Sequence, residues 1–328
     1  MFLKQKGRMA QNQNIDRHKP TLALAIPTYN RPEILKENLL KIINELSRYN
    51  IPVYISDDST NNDTKEIVDY LKKEYYDNIY YYKNTPSLGH DHNCLFTMSL
   101  PKEDYIWYIG DSMIIREEAF SMIFEIIENE DYDFICFNAE SRSEPLPNNN
   151  IYTDPKCILL DLGWHLTMSG AIIYNRRALF TECINIQLVK NFPQLALIFW
   201  AAYKKKIQLY WINKKIIYGN RKKESYWSGN QFSVFIDDYK NMLINLPNKF
   251  RQEDVDKVVR QHSLNTGIFS YKSLIVMRAK SMLNMEQLEK RKRDIKSFSN
   301  ANILILFILC LIPVRIVRLG YELFKRKK

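Results

Sequence analysis

Three carboxylates stand where a binding site would need them. Asp57 and Asp58 close the apolar run Val53–Ser56 and lead into Ser59 and Thr60. Asp111 follows another such run, Ile106–Ile109, across a single glycine, Gly110, which permits a tight turn. A third run, Leu22–Ile26, stops in Pro27, Thr28, Tyr29, Asn30 and Arg31. Carboxylate oxygens accept hydrogen bonds from N–H and hydroxyl groups, and they are the ligands that a hard divalent cation prefers. Asp-Ser-Thr is also good turn and helix-capping chemistry. One of Asp57 and Asp58 is therefore expected to bind a ligand and the other to support the turn.

Such groups act together only if the chain returns to one place. Between the first two runs, Pro32–Tyr49 reads as a helix, because Ile34, Leu35, Asn38, Leu39, Ile42, Ile43 and Leu46 recur on a helical period. Strand, polar loop, helix, strand and acidic loop make one βαβ unit. In such units the loops at the carboxyl ends of the strands form the ligand crevice. The alternation continues, with strands predicted at Ile79–Lys83, Tyr105–Ile109 and Phe134–Asn138. Helices are predicted at Asp63–Tyr75, His92–Ser99 and Glu117–Asn129. This predicts an α/β fold with a mostly parallel sheet sandwiched by helices. Beyond the loop Ser143–Asn150, Met168–Tyr174 and Ile207–Ile212 read as strands and Phe192–Tyr203 as a helix. Gly219–Asn230 reads as a loop, and Phe232–Asn245 and Glu253–Met282 as helices.

Four segments in order resemble family-2 glycosyltransferases of the GT-A fold. They are Pro27–Arg31, Asp57–Thr60, Gly89-His-Asp-His-Asn93 and Tyr105–Asp111. The resemblance implies a nucleotide-diphosphate sugar donor and a glycan or lipid-linked acceptor, in synthesis of the cell envelope or a surface polysaccharide. It implies that Pro27, Thr28, Tyr29 and Asn30 shape the base pocket and that Arg31 approaches a phosphate. Asp57 or, more strongly, Asp58 would hold base or ribose, with Gly89 and Asn93 beside the nucleotide. Asp111 would be the catalytic-site carboxylate and the ligand of Mg²⁺ or Mn²⁺ on the diphosphate. It implies a GT-A domain over residues 21–240, with a nucleotide half (21–115) and an acceptor half (116–240). An N-terminal arm (1–20), a helical extension (241–295) and a basic amphipathic tail (296–328) complete the chain.

The chain departs from the family in two ways. Many members carry two or three acidic residues where this one has Gly110, Asp111, Ser112 and Met113. Inverting members carry an acidic base motif on the acceptor half, whereas 191–203 contains no carboxylate. Asp91, Asp161, His165 and Glu182 are the candidates for that base. Trp164 and Trp227 are candidate acceptor platforms, with core packing the competing role for Trp164. These departures motivate an alternative, a non-catalytic relative that binds nucleotide sugars or glycans.

Composition sets the frame. At 328 residues, 46% hydrophobic and 26% charged, the chain can bury a full core. Its five cysteines are scattered without metal-ligand spacing, as expected of reduced, mostly buried thiols. Of the net charge of +10, most lies between Glu286 and Lys328, with eleven basic and four acidic residues. Those basic residues flank the apolar run Ile303–Val314, which is shorter than the roughly 20 residues of an ordinary membrane span. A charged flank around a short apolar run suits an anionic membrane surface. Nucleic-acid binding would instead call for a basic stripe on the folded domain, and is not expected. The polar N-terminus lacks an apolar signal segment, so a cytoplasmic protein on the inner face of the membrane is expected.

Overall fold

The computed structural model describes residues 19–140, 142, 146–220, 222, 225 and 227–326. Most of the expected N-terminal arm, the start of the Ser143–Asn150 loop, parts of the Gly219–Asn230 loop and the last two lysines lie outside the described residues.

The chain begins with β1 (Leu22–Thr28), α1 (Pro32–Arg48), β2 (Val53–Asp57), α2 (Asp63–Glu74), β3 (Ile79–Lys83), α3 (His90–Ser99) and β4 (Tyr105–Tyr108). Then come β5 (Met113–Ile115), α4 (Glu118–Asn129), β6 (Phe134–Ala139), β7 (Asn150–Tyr152), α5 (Pro155–Leu162), β8 (Ile172–Asn175), α6 (Pro193–Lys204) and β9 (Leu209–Gly219). Among the described residues one nine-stranded sheet runs β3-β2-β1-β4-β8-β6-β9-β5, with β7 paired to β9. Strands β1, β2, β3, β4, β6 and β9 point the same way, and β5, β7 and β8 run against them. The α/β sheet is therefore mostly parallel, as expected, and its first four strands are wholly so.

Covering both sheet faces is what makes β1 read as an unbroken apolar run, since Leu22–Ile26 is buried throughout. Helix α1 starts with Pro32 at its first turn, where a missing N–H costs nothing. It buries Leu35, Asn38, Leu39, Ile42, Ile43 and Leu46 against the sheet. Truncating Leu39 alone removes packing worth about 2–5 kcal/mol. Five of those six are apolar; Asn38 is the exception.

The C-terminal third is helical. A π-helical stretch, Ser233–Asp238, runs into α7 (Tyr239–Ile244). The single helix expected over Glu253–Met282 is in fact two, α8 (Gln252–Thr266) and α9 (Tyr271–Ala279). Gly267 separates them with φ of 65°, a left-handed cap that stops the first helix. Then follow α10 (Met285–Phe298), α11 (Ile303–Leu311) and α12 (Val314–Arg326). Strands β5 and β7 and helix α5 were not anticipated, being three, three and eight residues long. All five cysteines are free, and Cys94, Cys136 and Cys310 are buried.

Candidate active site

The carboxyl ends of β1, β2 and β4 meet at one edge of the sheet. The loops after β1 and β2 are tied to each other. Asp58 N–H donates to Thr28 O (3.0 Å), Asn30 N–H to Ser59 Oγ (2.7 Å), and Thr60 N–H to Asn30 Oδ1 (3.2 Å). Asn30 takes φ of 51°, a left-handed conformation that asparagine tolerates better than most residues. Pro27 is half-buried beneath, and Tyr29 projects from the turn, 53% exposed.

The two β2 aspartates both serve the scaffold. Asp57 is fully buried and accepts from Tyr81 Oη (2.7 Å), Lys83 Nζ (3.1 Å) and Ser59 N–H (2.9 Å). Asp58 accepts from Ser87 Oγ (2.6 Å), Leu88 N–H (2.7 Å), Gly89 N–H (2.8 Å) and Asn84 Nδ2 (3.1 Å). Burial alone would raise the Asp58 pKa, but these donors outweigh it and hold the carboxyl below its ordinary value. Both carboxylates of the expected pair, one for ligand and one for structure, are thus tied into the scaffold. With both oxygens accepting two bonds each, Asp58 holds the 84–89 loop against β2. Gly89 ends that loop at φ of 77° and caps α3. Asn93, buried one turn later, accepts from Ser56 Oγ (2.5 Å) and Asn84 Nδ2 (3.1 Å), so α3 is pinned to β2. Asn93 is thus placed beside the crevice but faces inward.

Asp111 is buried at the end of β4, 6% exposed, and faces the β1 loop. Thr28 Oγ1 donates to its Oδ2 (3.0 Å), and Arg31 pairs with its Oδ1 (3.2 Å). Arg31, expected near a phosphate, therefore already stands beside the carboxylate that such a phosphate would approach. The turn is fixed from behind: Asn38 Nδ2 donates to Asp111 O (2.7 Å), Asn220 Nδ2 to Asn38 Oδ1 (3.1 Å), and Asn220 N–H to Ser112 O (2.8 Å). Sequence reading placed Asn38 on the apolar face of α1 without a role, yet a polar residue there was the signal. Among the described residues no group of three His, Cys, Asp or Glu could hold a metal by itself. One carboxylate beside a serine suits Mg²⁺ nevertheless, because that ion commonly takes one or two protein carboxylates and fills its shell with phosphate oxygens and water.

The base candidates separate cleanly. Asp91, in the first turn of α3, accepts from Asn191 N–H through both oxygens (3.1 and 3.0 Å) and lies 2.7 Å from His90 Nδ1. Asn191 Nδ2 donates in turn to Asp238 (2.7 Å) in the π-helical stretch. Burial, with Asp237 and Asp91 nearby, raises the Asp238 pKa. Two carboxylates thus converge just before α6, and Asp238, 147 residues from Asp91, carried no local sequence signal. Glu182 is exposed and lines a groove of about 550 Å³ with His92 and residues 183–187. Asp161 is exposed on α5 and accepts from Tyr152 Oη (3.0 Å).

His165 and Trp164 are corrections. His165 is completely buried, donates from Nε2 to Phe137 O (2.7 Å), and packs edge-on to Trp164 and Trp211. Trp164, 2% exposed, lies under the Arg142 guanidinium at 5.4 Å. Neither reaches a crevice: His165 is a core histidine and Trp164 a core ring, so neither serves as base or acceptor platform. Trp227 is half-buried and packs edge-on to Phe235 (5.2 Å).

Burial and the Arg142 charge push the His165 pKa down to about 3. Its unfolded value is near 6.5, so it adds nothing to stability differences above that pH. Below it the unfolded chain takes up a proton that the fold refuses, and stability falls. At pH 5 this costs about 2 kcal/mol. Urea unfolding of His165→Gln between pH 7 and 5 should lose correspondingly less stability than the parent. An equal loss in both proteins would mean that His165 titrates freely.

Comparison with known proteins fits this geometry. Residues 23–188 match the family described as glycosyl transferase family 2. The abequosyltransferase RfbV of Salmonella typhimurium is 31% identical over 122 residues, which cover 37% of this chain and only 36% of that protein. The structure resembles TarS 1–349 of S. aureus, solved with UDP-GlcNAc, with TM-score 0.56 and 15% identity over 92% of this chain and 91% of that one. It also resembles the mannosyltransferase PcManGT of Pyrobaculum calidifontis, solved with GDP-Man and Mn²⁺, with TM-score 0.53 and 12% identity over 80% and 76% of the two chains. At these identities the solved structures establish the shared GT-A fold.

Proposed function

Because this chain belongs to glycosyl transferase family 2, we propose that it moves a sugar from a nucleotide-diphosphate donor to a hydroxyl of a glycan or lipid-linked acceptor. The setting we propose is synthesis of a cell-envelope or surface polysaccharide; the relative over part of the chain is named as an abequosyltransferase, which supports sugar transfer itself. The observation that carries the reading is Asp111. A buried carboxylate is kept at a strand end, with Thr28 and Arg31 on its two oxygens and Asn38 and Asn220 behind its backbone. That much support for one turn at the strand ends suits a group whose position matters for chemistry.

In the reaction the acceptor oxygen forms a bond to the anomeric carbon. The bond from that carbon to the diphosphate oxygen breaks, and the diphosphate leaves with the electron pair. Charge therefore grows on the diphosphate, and the site must stabilise it. Arg31 offers a fixed positive charge there. Asp111 and Ser112 would hold Mg²⁺ or Mn²⁺, which when bound neutralises the departing diphosphate. The acceptor hydroxyl must lose its proton as the new bond forms. Asp91, with Asp238 joined to it through Asn191, is the carboxylate pair we assign to that task. The base of the nucleotide would lie against Pro27–Asn30 and the loop that Asp58 secures.

Thermal shift with UDP-, GDP-, CDP- and dTDP-sugars, with and without Mn²⁺, is the first test. One nucleotide class should raise the melting temperature and be turned over to its nucleoside diphosphate when acceptor is supplied. Binding without turnover would favour the alternative of a non-catalytic binding relative, which the reduced acidic motif motivates. No shift with any donor would remove the proposal.

A further inference from the structure

The C-terminal helices expose what a globular protein normally buries. Helix α11 consists of nine apolar residues, Ile303–Leu311. Leu306 and Cys310 are buried and Ile303 and Leu309 pack partly against the core, while Leu304, Ile305, Phe307, Ile308 and Leu311 are 41% to 67% exposed. On α12, Ile316, Leu319 and Leu323 are 53% to 63% exposed, at a spacing that places them on one face. Contiguous apolar surface of this kind marks an interaction site.

The two helices reach the length and apolarity of a span only when taken together, and then across a sharp bend. Among the described residues no single helix is long and apolar enough to cross a membrane, and α11 and α12 meet at 101°. Pro313 lies at the break, and the bend is held by arginines. Arg278 of α9, itself 7% exposed, donates to Cys310 O (2.8 Å), Ile312 O (2.7 Å) and Leu283 O (3.2 Å). It thereby satisfies carbonyls that the end of α11 leaves open. Arg318 of α12 donates from Nε to Ala279 O (3.1 Å) and so ties the second arm to α9. The corner is a built feature, fixed by charge-assisted bonds to the last turn and the end of α9.

Positive charge borders the apolar surface. Lys280, Arg315 and Arg318 are exposed around the corner. We infer that α11 and α12 form a pre-bent, membrane-surface wedge whose apolar side enters one leaflet of an anionic bilayer while its basic rim meets the lipid headgroups. The charge decides the occupant. A second copy docked on this face would bring the same basic rim against its twin, whereas anionic lipid attracts it. An apolar face with basic borders, lying in the interface plane, is the arrangement of monotopic attachment.

The test uses the full chain and vesicles of phosphatidylcholine with or without 30% phosphatidylglycerol. The protein should float with the anionic vesicles at low salt, at least tenfold more than with phosphatidylcholine alone, and lose most of that binding in high salt. Leu304→Ser with Ile308→Ser changes only exposed side chains, so folding is left alone. That variant should lose at least tenfold in vesicle binding, with melting temperature and nucleotide-induced thermal shift unchanged. Arg315→Glu should weaken binding to anionic vesicles and leave the neutral background as it was. Binding that is absent, or equal in the parent and the Leu304→Ser, Ile308→Ser variant, would overturn the wedge. So would a dimer in solution that the same two substitutions dissociate, since that would assign the face to a second copy.

Discussion

Asp111→Asn slows sugar transfer by roughly a hundredfold or more while melting within a few degrees of the parent. The first half rests on electrostatics. A carboxylate that anchors a cation, or fixes Arg31, beside a departing diphosphate acts where charge develops, and losing one such group costs about that factor. The second half rests on the surroundings. Asn keeps the shape and one acceptor for Thr28 Oγ1, and Arg31 is 27% exposed, so water can take over its solvation. Were Asp111 only a turn residue, its replacement would lower the melting temperature and leave the rate per folded molecule intact. The decisive measurement is rate and melting temperature on one preparation across a Mn²⁺ series. Full activity in Asp111→Asn would remove the role assigned to it. The metal is tested separately. If a cation held by Asp111 supplies the charge, exhaustive chelation abolishes transfer; if activity survives chelation and Arg31→Gln abolishes it, the guanidinium does that work alone.

What could be read from the residues and what could not follow from how far apart the partners lie. The β1–α1–β2 unit was legible because its information is local. Short apolar runs at the cores of strands of seven and five residues, a 3.6-residue period over α1 and polar residues at the strand ends need no knowledge of the rest of the chain. Asp111 was legible for the same reason, as a carboxylate after a strand and a glycine. The break at Gly267 was also written locally, and a reading that weighed the apolar period above the capping glycine ran through it. Strands β5 and β7 were not legible, since three residues carry no period.

The site's wiring was hidden because its bonds join distant residues. Arg31 and Asp111 are 80 positions apart, Asn38 and Asn220 are 182 apart, and nothing near either end announces the other. For His165 and Trp164 the sequence leaves a site role and core packing both open. The residues that bury them, Phe137 and Trp211 on the sheet and Arg142 above, come from other elements. Asp58 was singled out for a ligand, and the structure gives it partners within the protein. Sequence shows an acceptor at a strand end, and only the fold shows that the loop 26 to 31 residues on has already supplied its donors.

That difference makes Asp58 the subject of the second large effect. Asp58→Ala removes the acceptor for two backbone N–H groups, one hydroxyl and one amide at once, at a position 4% exposed. Gly89 then loses the bond that sets the start of α3, and the 84–89 loop loses its anchor on β2. Each lost charge-assisted bond is worth about 1–3 kcal/mol, part of which returns as water reaches the freed donors. Nucleotide affinity should fall by about 1–3 kcal/mol, or roughly five- to 150-fold, and the melting temperature should fall with it. Because the folded carboxyl sits below its ordinary pKa, its contribution is complete above the ordinary carboxylate range and is lost as pH drops through the folded value. Two routes to weaker binding remain distinguishable. If Asp58 works through the loop, amide hydrogen exchange at Leu88 and Gly89 becomes fast in the variant even without nucleotide. If it touches the nucleotide directly, affinity falls while those amides stay protected, and the loop-holding role is wrong. Unchanged calorimetric affinity in both Asp57→Ala and Asp58→Ala would displace the nucleotide from this crevice altogether.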